Sequence, residues 1–286
     1  MSATNSAILL INTPDRKGLV ARLADFLYRR NANILHADQH QDSESGLFLM
    51  RVEWDLTDFR LEKPTFDEDF TPLAESLDLN WRIEYSSVPQ RLALMVSRYD
   101  HCLVDLLYRQ RSGELDCRIP LVLSNHPDAE EIACFYGVEF HHIPVTPELK
   151  DQAETRQLEL LERHRIDLVV LARYMQILSP TFVNRYPLRI INVHHSFLPA
   201  FSGARPYQRA FERGVKLIGA TSHYVTEDLD EGPIIEQDVV QVSHRDQLSD
   251  LIRKGRDLEK VVLSRAVRRH LEHRILVYRG KTVVFD

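Results

Sequence analysis

Three polar side chains in the second half of the chain have the types that acyl-group chemistry requires. Asn192 and His194 lie in the run Ile-Asn-Val-His-His-Ser-Phe-Leu-Pro over residues 191–199, and Asp230 follows a second segment that contains His223. A side-chain amide can donate a hydrogen bond to the oxyanion that forms when a carbonyl is attacked. An imidazole can stabilise the same charge or pass a proton to a departing nitrogen. The trio therefore predicts an enzyme that moves or cleaves a small acyl group.

Asp230 supplies the third function in this prediction. Its carboxylate can take a proton from an attacking water, or hold His194 in a productive protonation state, if partial burial lifts its pKa toward neutrality. Each residue also has a simpler explanation. An asparagine at a strand end often caps a turn, and an aspartate just before Glu-Gly-Pro can be only a turn former. The joint arrangement favours catalysis.

A metal site is a competing interpretation of the histidines. His194, His195 and His223 could all be ligands. However, no third ligand follows at the i, i+4 spacing of helical zinc sites, and no cysteine lies near them. We therefore expect neither a metal nor another cofactor.

Composition limits the class of protein. The 286 residues exceed one average domain, and a hydrophobic content of 44% is ample for packed cores. A net charge of −6 gives no broad footprint for nucleic acid, and no stretch approaches the ~18 apolar residues of a membrane span. Cys102, Cys117 and Cys134 show no paired spacing. A two-domain protein in a reducing cytoplasm, away from membranes, is the expectation.

The first part of the chain has the element order of a ferredoxin-like domain. A strand at residues 7–12 precedes an amphipathic helix over residues 19–30. Two strands, a second helix and a last strand follow, so that the order is strand, helix, strand, strand, helix, strand. Residues 86–90 are the natural linker. We predict an α/β chain whose first domain covers residues 1–86.

The second part, residues 90–286, alternates apolar strands with helices. This pattern predicts a doubly wound, mostly parallel sheet with helices on both faces, whose active groups lie at the carboxyl ends of the strands. Asn192 and His194 come at the end of one predicted strand, while His223 and Asp230 follow another at residues 217–220. The two segments can therefore meet at one edge. A long helix over residues 247–270 and a closing hairpin end the chain.

These motifs carry a resemblance to a known superfamily. Asn192-Val-His194-His-Ser196-Phe-Leu198-Pro199, Gly219-Ala-Thr-Ser-His223 and Asp230-Glu-Gly232-Pro233 are similar to the motifs of the folate-dependent formyltransferase domain. The first 85 residues, with Thr13-Pro-Asp-Arg-Lys-Gly18 and Asn31-Ala-Asn33-Ile34, resemble an ACT domain. Together the two parts most resemble the formyltetrahydrofolate deformylase family. The resemblance gives Asn192, His194 and Asp230 the catalytic roles argued above.

The resemblance also implies a substrate and its binding site. It implies hydrolysis of 10-formyltetrahydrofolate to formate and tetrahydrofolate, a step of one-carbon metabolism and purine biosynthesis. Met175, Ile177 and Leu178 would line the pterin pocket, and Thr226 and Asp228 would lie in the loop that closes its other side. Taken singly, the three apolar residues fit an ordinary core equally well. Gln176 stands where the transferases usually carry arginine, which leaves the residue that binds the folate tail open.

The acceptor decides between hydrolysis and formyl transfer. Glycinamide ribonucleotide formyltransferases, which the domain resembles, hold the phosphate of their acceptor in a glycine- and serine-rich loop. The equivalent stretch here, residues 96–103, has no glycine, and Asp100 would repel a phosphate. Water is the predicted acceptor. Transfer to an amine such as glycinamide ribonucleotide is the alternative, and methionyl-tRNA would require a basic RNA-binding domain.

The ACT-like part suggests a function of another class. ACT domains usually pair edge to edge and bind amino acids, so the resemblance implies a homo-oligomer whose first domain senses a metabolite. We place the candidate ligand at Asn12, Asp15, Gly18, Asn33 and Ile34, because Gly18 allows a ligand carboxylate to approach a helix start. Asp15 and Gly18 could equally shape a turn. The resemblance makes methionine and glycine the first effector candidates, and a purely regulatory protein is the remaining alternative.

Overall fold

The computed structural model describes residues 5–199 and 206–286, without the side chains of residues 63 and 64. Cα packing divides the chain into two units. The first takes the residues up to Val88 together with Glu272–Tyr278 and Val283–Asp286, and the second takes Pro89–Leu271 and Arg279–Thr282. The predicted second domain, residues 90–286, differs from this division at its end. The reason is that Leu276 and Phe285 pack on apolar side chains of the first unit.

The first unit has the predicted order of strands and helices. Its elements are β1 (Ser6–Pro14), α1 (Leu19–Arg29), β2 (Asn33–Asp42), β3 (Leu47–Asp55), α2 (Lys63–Ser76) and β4 (Asn80–Tyr85). The strands pair antiparallel in the order β2-β3-β1-β4, which is the ferredoxin-like arrangement. In α1, Leu19, Leu23 and Phe26 are buried because their spacing places them on one helix face.

Aromatic side chains fill the core between the helices and the sheet of this unit. Trp54, Phe66 and Phe70 are fully buried, and the ring centroids of Phe66 and Phe70 lie 5.3 Å apart. Full burial of one such side chain contributes roughly 2–3 kcal/mol. Burial of this aromatic cluster is therefore a main source of the stability of the first unit.

The second unit alternates strands and helices, as the apolar pattern predicts. Its elements are β5 (Gln90–Val96), α3 (His101–Arg111), β6 (Cys117–Ser124), α4 (Glu130–Phe135), β7 (Glu139–His142), α5 (Lys150–Arg163), β8 (Leu168–Leu171), α6 (Pro180–Arg185), β9 (Ile190–His194), α7 (Pro206–Arg213), β10 (Leu217–Tyr224), β11 (Ile234–Gln241) and α8 (Leu248–Leu271). The sheet order is β11-β10-β9-β8-β5-β6-β7, and β5 to β9 run parallel. The hairpin of β12 (Ile275–Tyr278) and β13 (Lys281–Val284) follows α8. The mostly parallel α/β fold is confirmed.

Two strands at one edge of this sheet differ from the prediction. β10 does not end near residue 220 but continues to Tyr224, and it runs antiparallel to both β9 and β11. Thr221 and His223 therefore lie inside a strand and not after it. In the sequence, the polar residues Thr-Ser-His interrupt the apolar pattern, so the predicted strand ends before them. In the structure these polar side chains are nevertheless buried. β11 was not predicted at all.

α8 is the longest helix of the described chain. Its buried face repeats at helical spacing through Leu251, Gly255, Leu258 and Val262, and it also contains a fully buried carboxylate, Glu259. No helix within the described residues is both long enough and apolar enough to cross a membrane.

Candidate active site

The predicted trio converges at the end of β9. Nδ1 of His194 lies 3.2 Å from Oδ2 of Asp230. The other carboxylate oxygen, Oδ1, lies 3.6 Å from Nε2 of His223, and this nitrogen lies 3.3 Å from Nδ2 of Asn192. Strand pairing produces part of this arrangement, because His223 stands opposite Asn192 across β9 and β10. The side chains of Asn192, His194, His223 and Asp230 form one polar cluster, which we call the catalytic cluster.

Hydrogen bonds determine which ring nitrogens carry protons. Nδ1 of His223 lies 2.9 Å from the carbonyl oxygen of Tyr224, which can only accept, so Nδ1 donates. In the neutral ring Nε2 then accepts from the amide of Asn192. Nδ1 of His194 likewise faces a carboxylate, so its proton is held there and the lone pair of a neutral ring lies at Nε2. That Nε2 has no hydrogen-bond partner among the described residues.

A tight loop carries Asp230 to the histidines. Asp230 has a left-handed backbone with φ +60, and Tyr224 donates its N–H to the carbonyl of Pro233 at 2.9 Å. Between these points the loop lies against the end of β10. A Cβ added at Gly232 would come within 1.7 Å of the Tyr224 carbonyl oxygen. Only glycine allows this approach, so Gly232 holds the carboxylate in reach of both rings.

The pKa of Asp230 differs from the expectation. The hydrogen bond from His194, and then the contact with His223, hold the pKa of this carboxyl well below its ordinary value of 3.8, and they outweigh the opposite effect of burial. The prediction that burial would lift the pKa of Asp230 toward neutrality is wrong. At neutral pH Asp230 is an ionised partner of two imidazoles, which makes it a poor proton acceptor in the free protein.

One large cavity joins the catalytic cluster to the predicted folate residues. Its volume is about 1040 Å³, and Asn192, His194 and Asp230 line it. All five predicted substrate-binding positions line it as well, namely Met175, Ile177, Leu178, Thr226 and Asp228. Met175 and Ile177 are 52% and 60% exposed, whereas Leu178 is 8% exposed and belongs to the core. Gln176 also faces this cavity.

Ser97 anchors the segment that carries Met175. Its Oγ accepts the N–H of Met175 at 2.9 Å and donates to Oδ1 of Asn125 at 2.7 Å. The backbone of Ser97 also donates to the carbonyl of Arg173 at 3.2 Å. These bonds hold the segment that follows β8 beside the end of β5.

A second polar cluster, centred on Glu259 in the cavity wall, was not predicted. Both oxygens of Glu259 are engaged: Oε1 accepts the hydroxyl of Tyr207, and Oε2 lies 2.8 Å from Nε2 of His101 and 3.4 Å from Nε of Arg173. We call these four residues the Glu259 cluster. Burial raises the pKa of Glu259, but the bond from His101, the charge of Arg173 and the bond from Tyr207 outweigh it, so the pKa lies below 4.5. A carboxylate within the apolar stripe of a helix is the signal that could have identified this cluster.

Donor atoms that could hold a metal also meet there. Those of His101, Cys102 and Glu259 lie within 4.8 Å of one another. Burial raises the pKa of the Cys102 thiol well above its ordinary value, which disfavours the thiolate that a metal requires. The cation that Glu259 already holds is the guanidinium of Arg173.

The first unit contains a separate cavity of about 430 Å³. Asp15 and Gly18 line it, and Oδ2 of Asp15 accepts a hydrogen bond from Gln41 at 2.5 Å. Gly18 begins α1 with φ +90, which fits the expected turn. The other predicted ligand positions, Asn12, Asn33 and Ile34, are not among its lining residues.

Comparisons with known proteins agree with this architecture. The formyl transferase family model matches residues 90–267, and the ACT domain model matches residues 7–60. The chain is 61% identical over 280 residues to a formyltetrahydrofolate deformylase of Synechocystis sp., with 98% of each covered. It is 39% identical to the enzyme of that name from Escherichia coli, with 99% of this chain and 100% of the relative covered.

Solved structures give the same result. A formyltetrahydrofolate deformylase from Pseudomonas syringae pv. tomato superposes with a TM-score of 0.97 at 50% identity, covering 100% of this chain and 96% of that one. A glycinamide ribonucleotide transformylase from Symbiobacterium toebii superposes with a TM-score of 0.66 at 32% identity, covering 69% of this chain and 95% of that one. The agreement with the first structure extends over both units.

Proposed function

The chain belongs to the formyltetrahydrofolate deformylase family, and we propose that its reaction proceeds through Asn192, His194 and Asp230. It hydrolyses 10-formyltetrahydrofolate to formate and tetrahydrofolate. The observation that carries the proposed site is the convergence of the three side chains in the wall of one large cavity. That cavity also contains every predicted folate-binding position.

Proton transfer is assigned to His194 in this proposal. Water attacks the formyl carbon, and Nε2 of His194 takes one of its protons. The same proton then passes to the folate nitrogen as the carbon–nitrogen bond breaks, so that no proton is gained or lost in the cycle. The departing formic acid ionises after release. This assignment is supported by two observations: Nε2 of His194 has no hydrogen-bond partner among the described residues, and His194 lines the cavity.

Asn192 and Asp230 support the two charges that develop. The amide of Asn192 donates to the carbonyl oxygen as it becomes an oxyanion, and the contact with His223 keeps that amide in place. Asp230 stays ionised, holds Nδ1–H of His194 and stabilises the imidazolium that forms during attack. The carboxylate thus acts through the imidazole and does not itself remove a proton from water.

The turn between β5 and α3 supports water as the acceptor. Residues 97–100 contain no glycine, and Asp100 precedes the first turn of α3. His101, the first residue of that helix, is bonded to Glu259. A phosphate-bearing amine would therefore meet a carboxylate where a glycine-rich loop would offer backbone N–H groups.

The test is formate release by the purified protein. Formate should appear at the same rate with and without glycinamide ribonucleotide, and dialysis against a chelator should leave the rate unchanged because no metal or cofactor is proposed. Strict dependence on the nucleotide would instead identify a formyltransferase. Loss of activity on chelation that added metal restores would contradict the metal-free mechanism.

The first unit is an ACT domain, and we propose an amino-acid effector for it. The cavity beside Asp15 and Gly18 supports this, because the start of α1 there suits a ligand carboxylate. Methionine and glycine should each be titrated against activity, and a flat response to both would refute an effector role for these two. A homo-oligomer formed through the ACT domain, and a cytoplasmic location, complete the proposal. The free exposed thiol of Cys134 supports a reducing compartment.

A further inference from the structure

Three residues of the Glu259 cluster, Arg173, Tyr207 and Glu259, line the same cavity as the catalytic cluster, but the cluster has no part in the mechanism above. Glu259 is 1% exposed and Arg173 is 8% exposed. Glu259 is the carboxylate within salt-bridge distance of Arg173 in the part of the chain that the structure describes, and Nε of Arg173 has no regular hydrogen bond there. A buried guanidinium thus depends on one counter-ion.

Aromatic rings connect this ion pair to the catalytic cluster. The ring centroid of His195 lies 5.2 Å from that of His194 on one side and 6.0 Å from that of Tyr207 on the other. Burial lowers the pKa of His195 to about 4, and the charges of Arg173 and Glu259 act on it in opposite directions. Arg173, His195 and Glu259 also line one cavity, and Tyr207 links His195 to Glu259, so an ion bound beside His195 would lie near this ion pair.

Gly255 explains how the carboxylate is held. A Cβ added at Gly255 would come within 2.2 Å of Cζ and of the hydroxyl oxygen of Tyr207. The ring of Tyr207 consequently lies directly on α8, one turn before Glu259, and its hydroxyl donates to Oε1. Glycine is a poor helix former, but at this position in α8 it leaves the space that the ring of Tyr207 occupies.

We propose that Glu259 is a specificity-determining residue that neutralises Arg173, so that small oxyanions do not bind beside His195. The inference rests on the proposed function, since each turnover of a deformylase produces formate in this cavity. A buried guanidinium without its counter-ion would match a carboxylate or a phosphate with paired hydrogen bonds. Formate would then remain after each turnover, and the phosphate of an amine acceptor would gain an anchor.

The test is the variant Glu259→Gln, which keeps the size of the side chain and removes its charge. Initial rates are followed by tetrahydrofolate formation with added sodium formate and, separately, with added inorganic phosphate. The variant should be inhibited by formate at about ten- to hundredfold lower concentration than the native protein, as a charge-assisted pair would give. The phosphate arm shows whether the released site prefers a carboxylate or accepts any small oxyanion.

The matched control is Tyr207→Phe, which removes one bond to Glu259 and leaves the carboxylate charged. Its inhibition by formate should equal that of the native protein within about twofold, because Arg173 stays paired. Thermal melting gives a readout without turnover: formate or phosphate should raise the Tm of Glu259→Gln and leave the Tm of the native protein unchanged.

Three results would overturn the inference. The first is a folded Glu259→Gln variant that is no more sensitive to formate or phosphate than the native protein, which would refute the charge argument. The second is an equal increase in sensitivity in Tyr207→Phe, which would assign the effect to loosened packing. If Glu259→Gln folds poorly, formate or phosphate should restore its melting transition, and no restoration counts equally against the inference. Acceptor-independent formate release by the native protein is measured in the same series, so failure of the proposed function is seen separately.

Discussion

Replacement of Asp230 by asparagine tests the role of the carboxylate in the catalytic cluster. The change keeps the size of the side chain but removes a charge that receives two imidazole contacts, from His194 at 3.2 Å and from His223 at 3.6 Å. A hydrogen bond to a charged group contributes about 1.5–3 kcal/mol. Only the His194 contact has hydrogen-bond length, and its loss in the transition state corresponds to about 1.5–3 kcal/mol, or a fall in kcat of roughly 10–10²-fold.

The asparagine amide also changes the proton arrangement. Its N–H₂ group can face Nδ1 of His194 as a donor, which moves the ring proton to Nε2 and blocks proton removal from water. The assay is steady-state formate release, with kcat and KM measured separately. Asp228→Asn is the matched control, since Asp228 is an exposed carboxylate in the same cavity wall. It should change KM and leave kcat within about threefold. A fall in kcat of less than tenfold for Asp230→Asn would refute the assigned role.

Three further predictions concern the supports of the site and the first unit. Gly232→Ala should lower kcat by about a hundredfold or more, because its Cβ would displace the loop that carries Asp230. The control Gly137→Ala, which has open space around the added Cβ, should lower the free energy of unfolding by only about 1 kcal/mol and leave kcat unchanged, so equal losses of kcat in the two variants would contradict this prediction. Ser97→Ala should raise KM by about five- to fiftyfold at near-constant kcat in the formate assay, since two hydrogen bonds that hold the pterin wall are lost, and an unchanged KM would argue against that wall. Burial, with the nearby arginine charges, lowers the pKa of His273 to about 4, so the unfolded chain binds more protons than the folded chain between pH 6.5 and pH 4. The contribution of His273 to the free energy of unfolding of the first unit is therefore fully present above pH 6.5, and up to about 3 kcal/mol of it is lost toward pH 4. Urea unfolding followed by tryptophan fluorescence, which reports only this unit, should show that the unfolding free energy of His273→Asn depends less on pH than that of the native protein.

The strands could be predicted where the local sequence is a continuous apolar run. The apolar runs of β5, β6 and β8 predict the parallel sheet, and the position of Asn192 and His194 at a strand end follows from it. The edge strands could not be predicted in this way. Thr221 and His223 are polar, and only their hydrogen bonds inside the folded sheet make them compatible with burial.

Electrostatics marks the limit of the site prediction. Sequence motifs and the family resemblance select Asp230, but the direction of its pKa depends on two imidazoles that reach it from different strands. The interactions of Glu259 could not be predicted for the same reason, because its partners come from α3, α7 and the segment after β8. Charged side chains that come together from distant segments leave no pattern in the spacing of neighbouring residues, whereas strands do.

The most direct test of the account uses water labelled with a heavy oxygen isotope. A single turnover of the purified protein with 10-formyltetrahydrofolate in labelled water should give formate that carries one labelled oxygen, as mass spectrometry would show, and the His194→Ala variant should release almost none in the same time. Unlabelled formate, or a labelled yield that His194→Ala leaves intact, would contradict attack by water under the control of the catalytic cluster.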